Sequence, residues 1–222
     1  MRTKVLLIAA SIFTILSAEN SFCQKPYLKN IFKEPSDYQK IVFQMSSHYV
    51  PLITDQGNQR FKGSGLIISN DIILTVFHLL KPYGDTKLVD GTRPEVIFSR
   101  PYQDLTLLKF AKPIFSNMPQ LKAGNVQQGD KVYCYSNAQG LDGVYQEYTV
   151  GKITERTIFV SPRLDEGSSG AAVYNKDGEV IGLVSLDVGE NSSMGAIIPV
   201  SDFKNIFEEN NSCPTKKTQP AK

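Results

Sequence analysis

The chain has 222 residues, of which 41% are hydrophobic, so it can form one large domain or two small domains with packed cores. Its net charge is +2 and no basic cluster precedes the tail, which argues against a nucleic acid as partner. It contains two histidines and three cysteines, and none of their spacings is typical of a metal site. We therefore expect neither a metal nor another cofactor.

The N-terminal segment has the pattern of a secretory signal peptide. Residues 1–4 are basic, residues 5–16 are mostly apolar, and the small residues Ser17-Ala18 follow. The apolar run is too short for a permanent membrane-spanning helix, and no later segment is long and apolar enough. We predict a signal peptide over residues 1–23, cleaved after residue 18 or residue 23, and a secreted or periplasmic protein without a transmembrane segment after signal removal.

The three cysteines leave their pairing open. Cys23 lies at the edge of the signal, and Phe22 before it disfavours a lipid anchor, which needs a small residue there. Export permits disulfides, and Cys134–Cys213 is the pair that lies wholly inside the exported chain. Because Cys134 lies in an apolar strand pattern, a buried free thiol is an equal alternative.

Two apolar, β-branched runs flank the turn pair Asn70-Asp71 and predict a hairpin that ends at His78. The other histidine, His48, follows a predicted strand at residues 41–45, and we expect it in a surface loop. Asp104 stands at the mouth of another strongly apolar strand, predicted over residues 105–110.

Short apolar runs between turn residues predict strands through the rest of the chain, at residues 96–98, 131–136, 145–153, 157–161, 172–174, 179–186 and 195–200. Residues 111–130 are rich in proline and glycine and are interpreted as the crossing between two halves. Residues 201–209 predict a short helix with Ser201 as its cap, and residues 210–222 a disordered tail.

The most informative stretch of the second half holds a serine in a tight turn between two glycines. Gly167 and Gly170 allow backbone angles that a side chain would forbid. In such a turn the backbone N–H groups of Gly167 and Ser169 can point to one spot, as an oxyanion hole requires. His78, Asp104 and Ser169 thus form a candidate base, acid and nucleophile.

Five short motifs occur in a fixed order along the chain. They are Gly63-Ser64-Gly65, Thr75-Val76-Phe77-His78, Asp104-Leu105-Thr106-Leu107-Leu108, Gly167-Ser168-Ser169-Gly170-Ala171 and Val180-Ile181-Gly182-Leu183. This series resembles the trypsin/chymotrypsin-like serine protease family, and most of all its HtrA-like bacterial branch without a PDZ domain. The resemblance extends over residues 40–207.

The resemblance and the many short strands imply an all-β, chymotrypsin-like fold of two six-stranded antiparallel β-barrels with a short C-terminal helix. The N-terminal barrel would cover residues 37–118 and carry His78 and Asp104. The C-terminal barrel would cover residues 119–209 and carry Ser169. The three side chains would then meet only in the cleft between the barrels.

In this family the serine is the nucleophile, the histidine is general base and then acid, and the aspartate orients the imidazole; these positions match Ser169, His78 and Asp104. Asp85 and Asp90 are rival acids, although neither begins an apolar strand.

The resemblance also implies the substrate-binding residues. Ser185 matches the serine that hydrogen-bonds the catalytic aspartate, and Ser185, Leu186 and Asp187 would form the edge with which a substrate strand pairs. The primary pocket would be framed by residues 163–166, 185–187 and 195–197. Its mixture of charged and apolar residues leaves a basic and a medium apolar preference open.

The sequence departs from the family pattern at three places. Phe77 replaces a small residue, which would enlarge a pocket or tilt the histidine. Ala171-Ala172 replaces Gly-Gly or Gly-Pro, although Gly170 is kept. Ser168 stands where trypsin-like zymogens carry an aspartate that pairs with a freed N-terminus, so that mode of activation is not supported.

The sequence thus predicts an exported trypsin-like serine endopeptidase that hydrolyses protein or peptide substrates through an acyl-enzyme. Two alternatives stay open. One is a catalytically silent protease-fold module that binds peptides or a partner protein, as Phe77 and the altered glycines would allow. The other is a secreted β-barrel interaction domain in which the three residues coincide by chance.

Overall fold

A computed structural model describes residues 37–80, 84–116, 120–185 and 192–206. The predicted signal peptide, the tail and two of the cysteines, Cys23 and Cys213, lie outside the described residues. The twelve strands within these ranges all belong to one unit that begins at Gln39. None of the helices in the described ranges is long and apolar enough to cross a bilayer.

The first six strands form one antiparallel, barrel-like sheet with the order β4-β1-β2-β3-β6-β5. These strands are β1 (Tyr49–Gln56), β2 (Gln59–Ile67), β3 (Ile72–Thr75), β4 (Asp85–Leu88), β5 (Glu95–Arg100) and β6 (Leu105–Lys109). The hairpin predicted at Asn70-Asp71 is present, because Leu66 pairs with Leu74 and Ile67 with Ile73.

The last six strands close into an antiparallel barrel with the order β10-β11-β12-β9-β8-β7. They are β7 (Lys131–Ser136), β8 (Val144–Ile153), β9 (Ile158–Ser161), β10 (Ala172–Tyr174), β11 (Val180–Ser185) and β12 (Gly195–Pro199). Two six-stranded antiparallel barrel-like sheets confirm the predicted all-β, chymotrypsin-like fold class. At the predicted C-terminal helix, the described residues end in a helical stretch at 204–206.

Two apolar clusters hold the strands together. One fills the C-terminal barrel and includes Val132, Val160 and Ile197. The other joins side chains of both sheets, such as Leu52 and Leu183. Burial of apolar surface contributes about 25 cal/mol per Å², so the shared cluster stabilises the packing of one barrel against the other.

Two expectations for the start of the domain are wrong. Residues 41–45 lie in helix α1 (Asp37–Ser47), not in a strand, and His48 after it is 1% exposed rather than in a surface loop. Met45 packs in the core while Phe43 is 70% exposed, as helical periodicity requires. A five-residue apolar run is too short for its periodicity to separate a helix from a strand.

Two strands had no predicted counterpart, β1 and β4. β1 contains Pro51 and ends in polar residues, so its composition hides the alternating burial of Val50, Leu52 and Thr54. β4 has only four residues. Both strands depend on pairing with a neighbouring strand, and the local sequence alone does not show that contact.

Candidate active site

His78 is tied to Asp104 by both its ring and its backbone. It lies in α2 (Phe77–Leu80), a short helix that follows β3. Its Nδ1 is 2.7 Å from Asp104 Oδ2, and its backbone N–H donates to Asp104 Oδ1 at 2.8 Å. Phe77 N–H donates to the backbone carbonyl of Asp104 at 3.1 Å. Phe77, the residue before the histidine, therefore does not move the His78 ring away from Asp104.

Asp104 has an unusual backbone conformation at the start of β6. Its φ of 54° and ψ of 39° lie in the left-handed region, where it caps the short 3-10 helix Pro101–Gln103. Aspartate is among the few residue types that occupy this region at modest cost. The cap ends the helix and turns the carboxylate toward His78.

Ser169 completes a chain of hydrogen bonds with the other two residues. His78 Nε2 is 3.0 Å from Ser169 Oγ, and Ser185 Oγ donates to Asp104 Oδ2 at 3.0 Å. A carboxylate accepts hydrogen bonds, so the ring proton of His78 lies on Nδ1 and Nε2 is free to accept the serine proton. The structure thus brings together His78, Asp104, Ser169 and Ser185; Leu186 and Asp187 lie outside the described residues.

The two rival acids are engaged elsewhere. Asp85 pairs with Arg93 at 2.7 Å, and this guanidinium lowers the pKa of the Asp85 carboxyl. Asp90 accepts the backbone N–H of Thr92 at 2.9 Å, which lowers its pKa. Neither carboxylate hydrogen-bonds the histidine among the described residues.

Both glycines of the serine turn are required by space as well as by backbone angle. Gly167 has a φ of +87°, and a Cβ there would lie 2.1 Å from the carbonyl oxygen of Asn137. Gly170 has a φ of +83°, and its Cβ would lie 2.2 Å from the Ser64 carbonyl oxygen and Thr75 Oγ1. Any side chain would both strain the backbone and collide with neighbouring atoms.

Neighbouring hydrogen bonds fix the direction of the two proposed oxyanion donors, Gly167 and Ser169. The C=O and N–H of a trans peptide point in opposite directions. The Glu166 carbonyl accepts from Gln139 N–H at 2.7 Å, and the Ser168 carbonyl accepts from Ala171 N–H at 2.9 Å. The next N–H groups therefore point the other way, and neither has a protein acceptor in the described part of the chain.

An open cleft of about 800 Å³ lies beside Ser169. It is lined by Arg60, Phe61, Lys62, His78, Leu79, Gln139, Gly140, Asp165, Glu166, Gly167 and Ser169. Both sheets contribute to its walls, so a bound chain would contact both. Of the residues predicted to frame the primary pocket, Asp165 and Glu166 line this cleft, while buried Leu164 packs against Gly195.

The only cysteine among the described residues is not a rival nucleophile. Cys134 is a free, fully buried thiol, and burial raises its pKa to about 12. The reactive form of cysteine is the thiolate, which is scarce at neutral pH when the pKa is this high. Within the described ranges, no group of three or more His, Cys, Asp or Glu residues could hold a metal ion.

Sequence reasoning missed the residues that support the serine turn. Ser64 stands out in the sequence only as part of a motif, and Asn137 and Gln139 give no signal. Ser64 Oγ donates to the Gly167 carbonyl at 3.0 Å and accepts from Asn137 N–H at 3.1 Å. The glycines on either side of Ser64 were the one available hint that a backbone approaches closely there.

Comparisons with known proteins agree with this fold. The profile of the trypsin-like peptidase domain family matches residues 63–183. The serine endoprotease DegS of Haemophilus influenzae is 29% identical over 146 residues, which cover 59% of this chain and 43% of DegS. The chain thus spans less than half the length of that relative.

A solved structure extends the likeness in fold. The crystal structure of the serine endoprotease from Yersinia pestis superimposes with a TM-score of 0.64 at 21% identity. The match covers 80% of this chain and 67% of the Yersinia chain.

Proposed function

The chain belongs to the trypsin-like peptidase family, and from that premise we propose that it is an exported serine endopeptidase with Ser169, His78 and Asp104 as its catalytic triad. The observation that carries the proposal is the unbroken series of hydrogen bonds from Asp104 through His78 to Ser169, at 2.7 and 3.0 Å. A serine hydroxyl needs a base within this reach, and the base needs a third group to fix its tautomer.

In the acylation step, Ser169 Oγ attacks the carbonyl carbon of the scissile bond. His78 Nε2 accepts the serine proton, and Asp104 stabilises the imidazolium that results. The N–H groups of Gly167 and Ser169 stabilise the negative charge that develops on the carbonyl oxygen. His78 then donates its proton to the leaving nitrogen, the C–N bond breaks, and the acyl group remains on Ser169 as an ester.

In the deacylation step, water takes the place of the departed amine. His78 Nε2 accepts a proton from the water as its oxygen attacks the ester carbon. Collapse of the second tetrahedral intermediate breaks the bond to Ser169 Oγ, which recovers a proton from His78. Each step uses only protein groups and water, so the proposal needs no cofactor.

The proposed substrate is an extended segment of a protein or peptide. Its strand would pair with the edge that begins at Ser185 and continues through Leu186 and Asp187. Leu164, Ala196 and Ile197 are the buried side chains among the residues that frame the primary pocket, and Leu164 and Ile197 pack in the core of the C-terminal barrel.

Phe77 and the altered glycines were the reasons to consider a catalytically silent binding module. His78 nevertheless hydrogen-bonds both Asp104 and Ser169, and Gly170 keeps the turn despite Ala171-Ala172. These contacts support the enzyme over the silent module.

The test is covalent labelling of the chain without residues 1–23 by a fluorophosphonate, followed by mass-spectrometric mapping of the adduct. We expect one adduct, on Ser169, that is absent from heat-denatured protein and from His78→Ala and Ser169→Ala. Ser46→Ala, at the exposed end of α1, is the matched control and should label normally. Absence of an adduct on folded protein at neutral and mildly alkaline pH would overturn the proposed function.

A further inference from the structure

We propose that Ser64 is a positioning residue that holds the Ser169 turn in its oxyanion-binding form, so that the site assembles without processing of the N-terminus. This inference rests on the proposed function. It concerns a residue of β2, in the sheet opposite the serine turn, and assigns a role that sequence reasoning did not give to it.

Ser64 uses all of its polar atoms on the turn and on the elements beside it. Its N–H donates to the Ser169 carbonyl at 2.8 Å, and its Oγ donates to the Gly167 carbonyl at 3.0 Å. The same Oγ accepts from Asn137 N–H at 3.1 Å, and the Ser64 carbonyl accepts from Thr75 Oγ1 at 2.7 Å. Because Ser64 is fully buried, water does not compete for these bonds.

These bonds complete a set that restrains the whole turn. Four consecutive carbonyls, from Glu166 to Ser169, each accept a hydrogen bond from the protein. The donors in chain order are Gln139 N–H at 2.7 Å, Ser64 Oγ at 3.0 Å, Ala171 N–H at 2.9 Å and Ser64 N–H at 2.8 Å. Rotation of any of these peptides would break one bond, and Ser64 supplies two of the four donors.

The residues held by Ser64 are the same two whose N–H groups are the proposed oxyanion donors. The Gly167 and Ser169 carbonyls belong to the peptides that follow the two donor-bearing peptides, so Ser64 holds the planes next to them. With these neighbouring planes fixed, the donor-bearing peptides have less freedom to turn their N–H groups away. Gly170 packs directly against the Ser64 carbonyl, which leaves little room for the turn to withdraw. Ser64 therefore acts on the reaction through the turn and does not itself touch the substrate.

The hydrogen bonds from Ser64 also explain how the turn can form with a serine at position 168. Ser168 Oγ lies 3.1 Å from Ser136 Oγ, and both side chains are fully buried. This neutral pair needs no ammonium group to compensate a buried carboxylate. Since Ser64 belongs to a strand, the turn gains its support when the two sheets pack together.

The first experiment compares Ser64→Ala with the unsubstituted chain. Active sites are titrated with a fluorophosphonate, so that rates refer to folded molecules. We expect the acylation rate per titrated site, measured with p-nitrophenyl acetate, to fall on the order of 10- to 100-fold, since loss of an oxyanion donor costs 10²- to 10³-fold. The affinity for phenylboronic acid, whose tetrahedral adduct uses the same donors, should fall in parallel.

Two further variants separate positioning from packing. Ser64→Cys keeps the shape of the side chain with a somewhat larger atom but offers only a weak donor, and should show most of the loss seen with Ser64→Ala. Ser46→Ala removes a hydroxyl that donates to the Phe43 carbonyl on the exposed side of α1, and should change neither readout. An unchanged rate per titrated site in Ser64→Ala, or a fall in rate with unchanged boronate affinity, would overturn the role of Ser64.

The second arm tests assembly without processing. The chain carrying an N-terminal affinity tag should react with the fluorophosphonate as fast as the chain after tag removal. A reaction that begins only after removal would contradict the inference while leaving the proposed function intact. Failure of both forms to react would instead count against the proposed function.

Discussion

The backbone N–H of Gln139 donates a 2.7 Å hydrogen bond to the carbonyl oxygen of Glu166, and Gln139 does so from a left-handed conformation with a φ of 53°. The bond directs the following N–H, that of Gly167, into the cleft. The loop that carries Gln139 thus sets the direction of one proposed oxyanion donor through its backbone alone.

Only the backbone of Gln139 makes this bond. The reactivity of the site should therefore depend on the backbone conformation of Gln139 and not on its side chain. Gln139→Gly is expected to keep the fluorophosphonate labelling rate, since glycine adopts a positive φ without cost. Gln139→Val keeps the N–H but disfavours this conformation by about 1–3 kcal/mol, and should label more slowly. Equal labelling rates for the two variants would show that the loop conformation does not matter to the site.

Gly170 and Gly57 form a natural pair for separating a collision from backbone strain. Both have a positive φ, +83° and +57°, but a Cβ at Gly57 would meet no atom within 4 Å. Gly57→Ala should therefore lower the free energy of unfolding by about 1 kcal/mol, from backbone strain alone. Gly170→Ala adds a collision with the Ser64 carbonyl and should cost several times more, of the order seen for overpacked cores.

Urea unfolding of both glycine variants measures the difference, and fluorophosphonate labelling reports on the turn. Labelling should be lost in Gly170→Ala and unchanged in Gly57→Ala. Similar unfolding free energies for the two variants would mean that the turn can shift away from Ser64, contrary to the tight packing described above.

The parts of the site that were predictable from sequence are local. The strand that leads to His78, Asp104 at the start of an apolar strand and the glycines around Ser169 each leave a pattern within about ten residues. Ser64 and Gly167 are hydrogen-bonded across 103 positions of chain, so no local pattern links them. The left-handed conformation of Gln139 is equally unpredictable from local sequence, because its N–H bonds a carbonyl in the distant serine turn.

The start of the domain shows a second limit. His48 was expected in a surface loop because polar residues surround it, but its ring packs inside and its Nδ1 lies 3.1 Å from the Gln44 carbonyl oxygen. Helix α1 makes that carbonyl available, and α1 itself was mistaken for a strand. One ambiguous apolar run therefore led to both errors.

Asp104 should matter to the reaction through the orientation of His78 rather than through the fold. Asp104→Asn keeps the shape of the side chain but can donate to Nδ1, which favours the tautomer with its proton on Nε2. We expect the rate of peptide hydrolysis to fall by about 10⁴-fold, as for loss of the orienting acid in a Ser-His-Asp triad. Asp85→Asn, which loosens the pairs with Arg93 and Lys87 away from the histidine, should keep the wild-type rate.

Rates are compared on a peptide substrate found by screening a proteome-derived peptide library. A comparable loss in both variants would point to a general effect on the N-terminal sheet. An undiminished rate in Asp104→Asn would remove Asp104 from the catalytic role and reopen the search for the orienting acid.

Asp55 is expected to govern part of the acid sensitivity of the N-terminal sheet. Its carboxylate accepts from Arg60 Nε at 2.8 Å and lies 2.7 Å from Lys87 Nζ, which links β1 to both of its neighbours. Hydrogen bonds from these two cations lower its pKa from 3.8 to about 2. A carboxyl with a depressed pKa in the folded state stabilises the fold above its unfolded pKa and loses that contribution as the pH falls.

The loss should therefore occur between about pH 4 and pH 2, where the unfolded chain takes up the proton first. Urea unfolding across this interval should show a steeper fall in the free energy of unfolding for the unsubstituted chain than for Asp55→Asn. Above pH 5 the difference in unfolding free energy between the two proteins should be constant. Asp177→Asn, in the exposed turn before β11, removes a carboxylate without altering a cross-strand contact and should keep the wild-type slope. If the free energy of unfolding of Asp55→Asn falls with pH as steeply as that of the unsubstituted chain, the pairs of Asp55 with Arg60 and Lys87 make no pH-dependent contribution to stability.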